Sequence, residues 1–299
     1  MRFGIVPLEF GPAVERIVSG GVPDFSRFSV TDAVRDAMNM EHISVIELTM
    51  DIEHVIPGAL TTTTIDALNL LRDELGCSFT AHLPLWSTEP SSFNEHIREA
   101  SVESTVSSIK LAEPLEPETY VFHSTGALAA EFSRLNLPKN IRMLICGYMA
   151  THAARSIEEI VTRTEIDPRR LALENVEFPF EVTRLIVDEY NTSICFDTGH
   201  LLTHYSGTES VCDFYTANRD RIREIHLHDG SCREREGLVE HRDHIALGLG
   251  ELPIREFFTK LLRDKYNGPL VFELTADEAR ASLEAIRSVV PEVFQLTGH

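Results

Sequence analysis

Eight short apolar runs alternate with segments of helical period along almost the whole chain, and this alternation limits the fold more than any single motif does. The runs are "RFGIVPLE" (2–9), "ISVIELT" (43–49), "SFTAHLPL" (78–85), "TYVFHST" (119–125), "RLALENV" (170–176), "TSICFDT" (192–198), "EIHLHD" (224–229) and "PLVFEL" (269–274). Between them lie "TDAVRDAMNM", "TIDALNLLRDEL", "VESTVSSIKLA", "SIEEIVTRT", "FEVTRLIVDEY" and "PIREFFTKLLRDK", with apolar residues three and four apart and caps expected at Thr31, Thr64 and Ser156. Strands that read as continuous apolar runs are buried on both faces, which calls for a parallel sheet covered by helices. Eight strand–helix units in 299 residues suit a closed α/β barrel, the (β/α)8 or TIM barrel, better than an open doubly wound sheet. No G-x-G-x-x-G turn follows the first run, where an open dinucleotide-binding sheet carries one. No shift of composition divides the chain, so one TIM-barrel domain over residues 1–299 is expected.

The polar residues inside these runs carry the functional information. Glu47, His82, His123, Glu174, Asp197, His226 and Glu273 each interrupt an apolar run near its C-terminal end. In a barrel those ends gather round one mouth, the end where barrel active sites lie. A period of two puts Thr80 with His82, Val121 with His123, Ala172 with Glu174, Cys195 with Asp197 and Val271 with Glu273 on one inward face. Buried carboxylates and imidazoles are costly unless paired, and such clusters usually pair with metals. In "FDTGH", His200 lies three residues beyond Asp197 and faces away if the strand continues; a turn at Gly199 would bring it back to the mouth. The segment "HRDHIALGLGELP" (241–253) has Gly248 and Gly250 for a tight loop that would deliver His244 to the same place.

Charge and cysteine content narrow the setting. With 47 acidic and 27 basic residues the formal net charge is -20, which repels a phosphate backbone, and no basic cluster offsets it; nucleic acid is not an expected partner. The five cysteines, Cys77, Cys146, Cys195, Cys212 and Cys232, lack paired metal-type spacing and read as reduced thiols, consistent with a cytoplasmic location. Residues 1–20 match neither a signal peptide nor a membrane span.

The ordered set His82, His123, Glu174, Asp197, His200, His226, His244 and Glu273 resembles the endonuclease IV branch of the xylose-isomerase-like barrels over nearly the whole chain, with "FDTGH" and "DHIALGLGEL" similar to two of its motifs. The resemblance implies three zinc ions: one on His82, His123 and Glu174; a second bridged by Glu174 and held by Asp197, His226 and Glu273; a third on His200 and His244. That family places an Asp two residues before the loop histidine, where this chain has Arg242, so the third ion depends on Asp243 or His241 taking that part. Asp229, after "HLH", is expected to orient an imidazole or a ligand water, and His228 either to support the ligands or to touch substrate.

Imidazole with carboxylate suits zinc, with manganese or iron as other choices, in two or three sites. Such ions lower the pKa of a bound water toward about 7 and clamp a phosphoryl group, so phosphoester hydrolysis is the natural reaction, with Glu174, Asp197 and Glu273 as the residues on which catalysis depends. "RFGIVPLEF" lacks the opening of the DNA-cleaving members. "IPGALT", "AHLPLWSTE", "VFHSTGALAAEF", "LALENVEFPF" and "ICFDTGH" look like the cobamide-remodelling phosphodiesterases, which implies a small-molecule phosphodiester in a corrinoid as substrate. Trp86, Phe122 and Phe178 are candidates for packing on a flat ligand. The alternatives are an abasic-site endonuclease and a metal-dependent sugar isomerase or epimerase, which needs only Glu174, Asp197, His226 and Glu273 around one ion.

Overall fold

A computed structural model of the chain describes residues 1–7, 17–18, 22–235 and 237–295. Each apolar run forms a strand: β1 (Arg2–Ile5), β2 (Ile43–Thr49), β3 (Ser78–His82), β4 (Tyr120–Phe122), β5 (Leu171–Glu174), β6 (Ser193–Asp197) and β7 (Ile222–His226). An antiparallel hairpin, β8 (Asp229–Arg235) with β9 (Leu238–Ile245), precedes the last barrel strand, β10 (Pro269–Phe272). Eight parallel strands close in the order β1-β10-β7-β6-β5-β4-β3-β2, with helices between them, as a single (β/α)8 barrel.

The apolar side chains divide into two populations. Those on the outer face of the strands, such as Phe3, Phe79, Phe122, Phe196 and Phe272, pack under the helices in the main core. Val121, Ala172 and Cys195 form a small separate cluster, facing inward as their alternation with His123, Glu174 and Asp197 requires. Cross-strand register aligns Asp197 with His226, Val271 with His226, and Glu47 with Thr80, so the polar residues sit at matching heights round the barrel.

Local signals set the helix limits, in part differently from the sequence reading. Thr61, not Thr64, caps Thr62–Leu75 by accepting from Thr64 N, and Gly76 ends that helix at φ 66. Ser29, not Thr31, caps Val30–Met38. Ser156 is no cap: it is buried within Lys139–Thr164 and donates to Pro90 O at 2.7 Å, so its hydroxyl is satisfied across a loop. Most strands are shorter than their apolar runs; Val6 and Pro7 follow β1 as loop, and residues 8–9 of the first run lie outside the described residues. Phe122 and Phe178 are buried core, which removes them as ligand-packing surfaces, while Trp86 is 52% exposed just beyond β3. Among the described residues no helix is long and apolar enough to cross a membrane.

Candidate metal centre

Glu174, the last residue of β5 and almost fully buried, is the hub of the barrel mouth. Its Oε2 lies 3.0 Å from His123 Nε2, 3.5 Å from His82 Nε2 and 3.5 Å from His226 Nδ1. Its Oε1 lies 3.2 Å from His200 Nδ1. One oxygen of this carboxylate therefore faces three imidazoles and the other oxygen faces one. His226 Nδ1 is also 3.2 Å from Glu273 Oε2 and 3.9 Å from Asp197 Oδ2. His123 and Glu273 stand just past the ends of β4 and β10, where the backbone has left the ladder but not the barrel mouth.

His200 returns to the mouth through a short helix, Thr198–Leu202, whose N-cap is Asp197; Asp197 Oδ1 accepts from His200 N at 2.6 Å. Gly199 serves a purpose other than turning the chain: a Cβ there would run into the His228 ring and come 2.6 Å from Asp243 Oδ1. His228 is fully buried, and its Nε2 bonds Asp197 Oδ2 at 2.8 Å, which makes it a support for that carboxylate rather than a group at the substrate's reach.

His244 arrives on β9 of the hairpin, not on a glycine loop as the sequence suggested, because the chain between β7 and β10 extends outward before it turns back. Its Nε2 is 3.5 Å from Glu273 Oε2. The neighbouring Asp243 takes the place that Arg242 leaves open, with Oδ2 3.6 Å from His200 Nε2 and 3.5 Å from His244 Nδ1, while Arg242 is exposed. His241 does not join them: its Nδ1 bonds Thr203 O at 2.9 Å and its ring stacks on Tyr205, latching the hairpin to the helix that carries His200. Asp229 orients no imidazole. Both its oxygens accept backbone N–H groups, from Gly230, Gly248, Gly250 and Leu252, and so fold the loop after the hairpin.

Two further carboxylates lie below. Glu47 and Glu224 are fully buried inside the barrel, under His226. Glu224 escaped the sequence reading as a site residue, although it stands two positions before His226 on one strand and so shares its inward face. Burial, followed by the charge of Glu47, pushes the Glu224 carboxyl up to about 8.

The protonation pattern states what the mouth demands. Against the desolvation that lowers it, hydrogen bonding to Glu174 and the charge of Glu47 hold the His82 imidazole up at about 9. Desolvation is likewise outweighed at His200, by Asp197 and Glu174, which hold it at about 10, and at His244, by Asp243 and Glu273, which hold it at about 11. Glu174 and Glu273 are held well below the usual carboxylate range despite burial, by His123 and His226 for the first and by His226 and His244 for the second. Acceptor-rich carboxylates thus draw positive charge onto the imidazoles beside them. Among the described residues Nδ1 of His200, His226 and His228 is buried without a hydrogen-bond partner. Within this assembly His82, Glu174 and His226 converge closely enough to hold one cation; so do Glu174, Asp197, His226 and Glu273, and so do His200, Asp243 and His244. The donors fit divalent ions of the zinc, manganese and iron type.

A closed parallel barrel with imidazoles and carboxylates crowded at the C-terminal ends of its strands defines a class of proteins with metal-type sites at the barrel mouth. The chain belongs to the xylose isomerase-like TIM-barrel family, whose model matches residues 43–289. It is 25% identical over 227 residues to an uncharacterized protein of Methanocaldococcus jannaschii, covering 72% of this chain and 70% of that one. Among solved structures it is similar to a D-tagatose 3-epimerase-like protein (TM-score 0.70, 22% identity, all of both chains covered). It is also similar to endonuclease IV from Thermus thermophilus (TM-score 0.67, 19% identity, 98% of this chain and 100% of that one) and to the E. coli 3-keto-D-glucoside 4-epimerase (TM-score 0.65, 16% identity, 96% and 99%). At these identities the structural likenesses speak to the fold alone.

Proposed function

We propose that the chain is a metal-dependent hydrolase of a small-molecule phosphodiester, with the nucleotide loop of a cobamide as the substrate to test first. The observation that carries this reading is the double use of Glu174, whose two oxygens face separate imidazole groups, His82, His123 and His226 on one side and His200 on the other. A site for a single ion has no need of that arrangement. His82, His123 and Glu174 would hold one ion; Glu174, Asp197, His226 and Glu273 a second; His200, Asp243 and His244 a third. Ions held there would supply Lewis acidity to a phosphoryl oxygen and a water acidified toward neutrality. The chain's own residues supply the rest. Glu174, Asp197 and Glu273 fix the spacing of the donors, and His228 holds Asp197 from behind. Trp86 beyond β3, and Arg134 stacked over Tyr205 at 5.8 Å, would give a wide ligand a rim to rest on outside the barrel.

A second reading, a sugar epimerase or isomerase, is favoured by the group Glu174, Asp197, His226 and Glu273, which suffices for one ion beside a carbonyl. The experiment that separates the two is chromatography of reactions with a panel of cobamides, abasic duplex DNA and ketoses, using zinc- and manganese-loaded protein. Release of the lower-ligand nucleotide or nucleoside from a cobamide, lowered by orders of magnitude in Glu174→Gln, is expected. Conversion of a ketose with every phosphodiester left intact would replace the hydrolase reading by the epimerase one.

A further inference from the structure

We propose that Glu47 is the positioning residue of this centre, gripping the Nε2 side of His226 across the barrel so that Nδ1 is aimed at Glu174, Glu273 and Asp197. The inference rests on the cation-binding reading above and deepens it.

Glu47 is on β2 and His226 on β7, strands that are not neighbours in the barrel, so their side chains meet through its interior. Both are fully buried. His226 Nε2 lies 3.3 Å from each Glu47 oxygen, hydrogen-bonded to Oε2, while Nδ1 on the other edge of the ring lies 3.2 Å from Glu273 Oε2 and 3.5 Å from Glu174 Oε2. The ring thus has a floor side and a mouth side. Glu47 is itself held in place: Thr80 Oγ1, in register on β3, donates to Oε2 at 3.4 Å. Cys195 also sits beside the ring, but burial keeps its thiol neutral and a thiol is a weak acceptor. The carboxylate is the strong partner. A carboxylate that accepts from one imidazole N–H fixes the ring's rotation and tautomer and makes the opposite nitrogen a better donor to a cation. Among the described residues the side-chain hydrogen bonds of Glu47 go to Thr80 and His226, and its register with Thr80, two residues below His82, places it behind His226.

The test compares Glu47→Gln, Glu47→Ala and His226→Ala with wild type, in chelator competition that counts ions and measures each affinity, and in 15N NMR of the zinc-loaded, histidine-labelled protein. Wild type is expected to show His226 protonated at Nε2. Glu47→Gln, whose amide oxygen still accepts but carries no charge, should weaken the ion on His226 by about 10–100-fold, more than any other ion; Glu47→Ala should weaken it further. If the Glu47 variants fold poorly, Thr80→Val removes only the hydroxyl on Glu47 and should weaken the same ion by a smaller factor. Wild-type affinities in the Glu47 and Thr80 variants, with one ion lost in His226→Ala, would overturn the role of Glu47 while leaving the centre intact. A lower melting temperature in the Glu47 variants with unchanged affinities would reduce Glu47 to a structural residue. Retention of every ion by His226→Ala would show that His226 holds none and would overturn the role of Glu47, whereas a wild type that binds no ion would remove the centre itself.

Discussion

His82, His200 and His244, held at about 9, 10 and 11 by carboxylates at 3.2–3.6 Å, compete with any cation for their own nitrogens. Two consequences follow from the sign of these shifts. Each of the three pKa values lies above the ordinary 6.5, so the stabilisation these imidazolium groups give the cation-free protein is complete below about pH 6.5 and disappears as pH rises through about 9 to 11. Glu174 and Glu273 shift the other way, so their contribution is present above the ordinary 4.5 and is lost as pH falls below it. Chelator-treated protein should therefore melt at progressively lower temperature from pH 6.5 upward, and zinc should restore the melting temperature with release of protons that calorimetry in two buffers can count. A melting temperature independent of pH over that range would contradict the pairing. Glu174→Ala should lose more ions than His244→Ala, because Glu174 faces four imidazoles across its two oxygens whereas His244 lies beside the carboxylates of Asp243 and Glu273; equal retention would contradict the hub role of Glu174.

At the scale of elements, the third group of donors depends on how closely the hairpin β8–β9 approaches the short helix after β6. Gly199 makes that approach possible, since the His228 ring and Asp243 occupy the space a side chain would need, and His228 is too buried to yield. Gly199→Ala should cost about 1–3 kcal/mol in denaturant unfolding, the range for overpacking, and should abolish binding of the ion proposed for His200, Asp243 and His244 before binding at Glu174. Unfolding at the wild-type denaturant midpoint would refute the close packing. The same hairpin marks where the sequence stopped being legible. Barrel strands declare themselves by apolar runs that end in one inward polar residue, and that pattern sufficed for the fold and for the convergence of His82, Glu174, Asp197 and His226. The hairpin segment "DGSCREREGLVEHRDHI" is polar almost throughout, its buried start is Asp229, Gly230 and Ser231, and β9 is exposed over Leu238–Arg242, so no apolar alternation betrays a strand. Asp243 was visible only as a neighbour of Arg242, and Glu224 was hidden at the head of a strand read one turn of the alternation too late.

For the molecule as a whole, the fold is shared by epimerases and by endonuclease IV, so the distribution of charge has to discriminate where topology does not. A net charge of -20 opposes a duplex at long range, and a local basic patch among the described residues lies away from the candidate centre. Arg2, Arg169, Arg219, Arg223 and Lys265 line a cavity of about 680 Å³ with Ser193 and Pro269, at the starts of β6 and β10, whereas the candidate centre is at the strand ends. Positive charge at the N-terminal end of the barrel adds no phosphate contact beside a centre at the C-terminal end. Arg2 is in any case held by Glu118, which leaves fewer cations to displace counterions. Fluorescence anisotropy with an abasic duplex should accordingly show weak binding at moderate salt and a shallow dependence on salt concentration, because the slope counts the phosphates neutralised. A steep slope, or incision at the abasic site at rates matching the best substrate of the panel, would mean that the duplex reaches the Glu174 centre against this field and would restore the endonuclease reading.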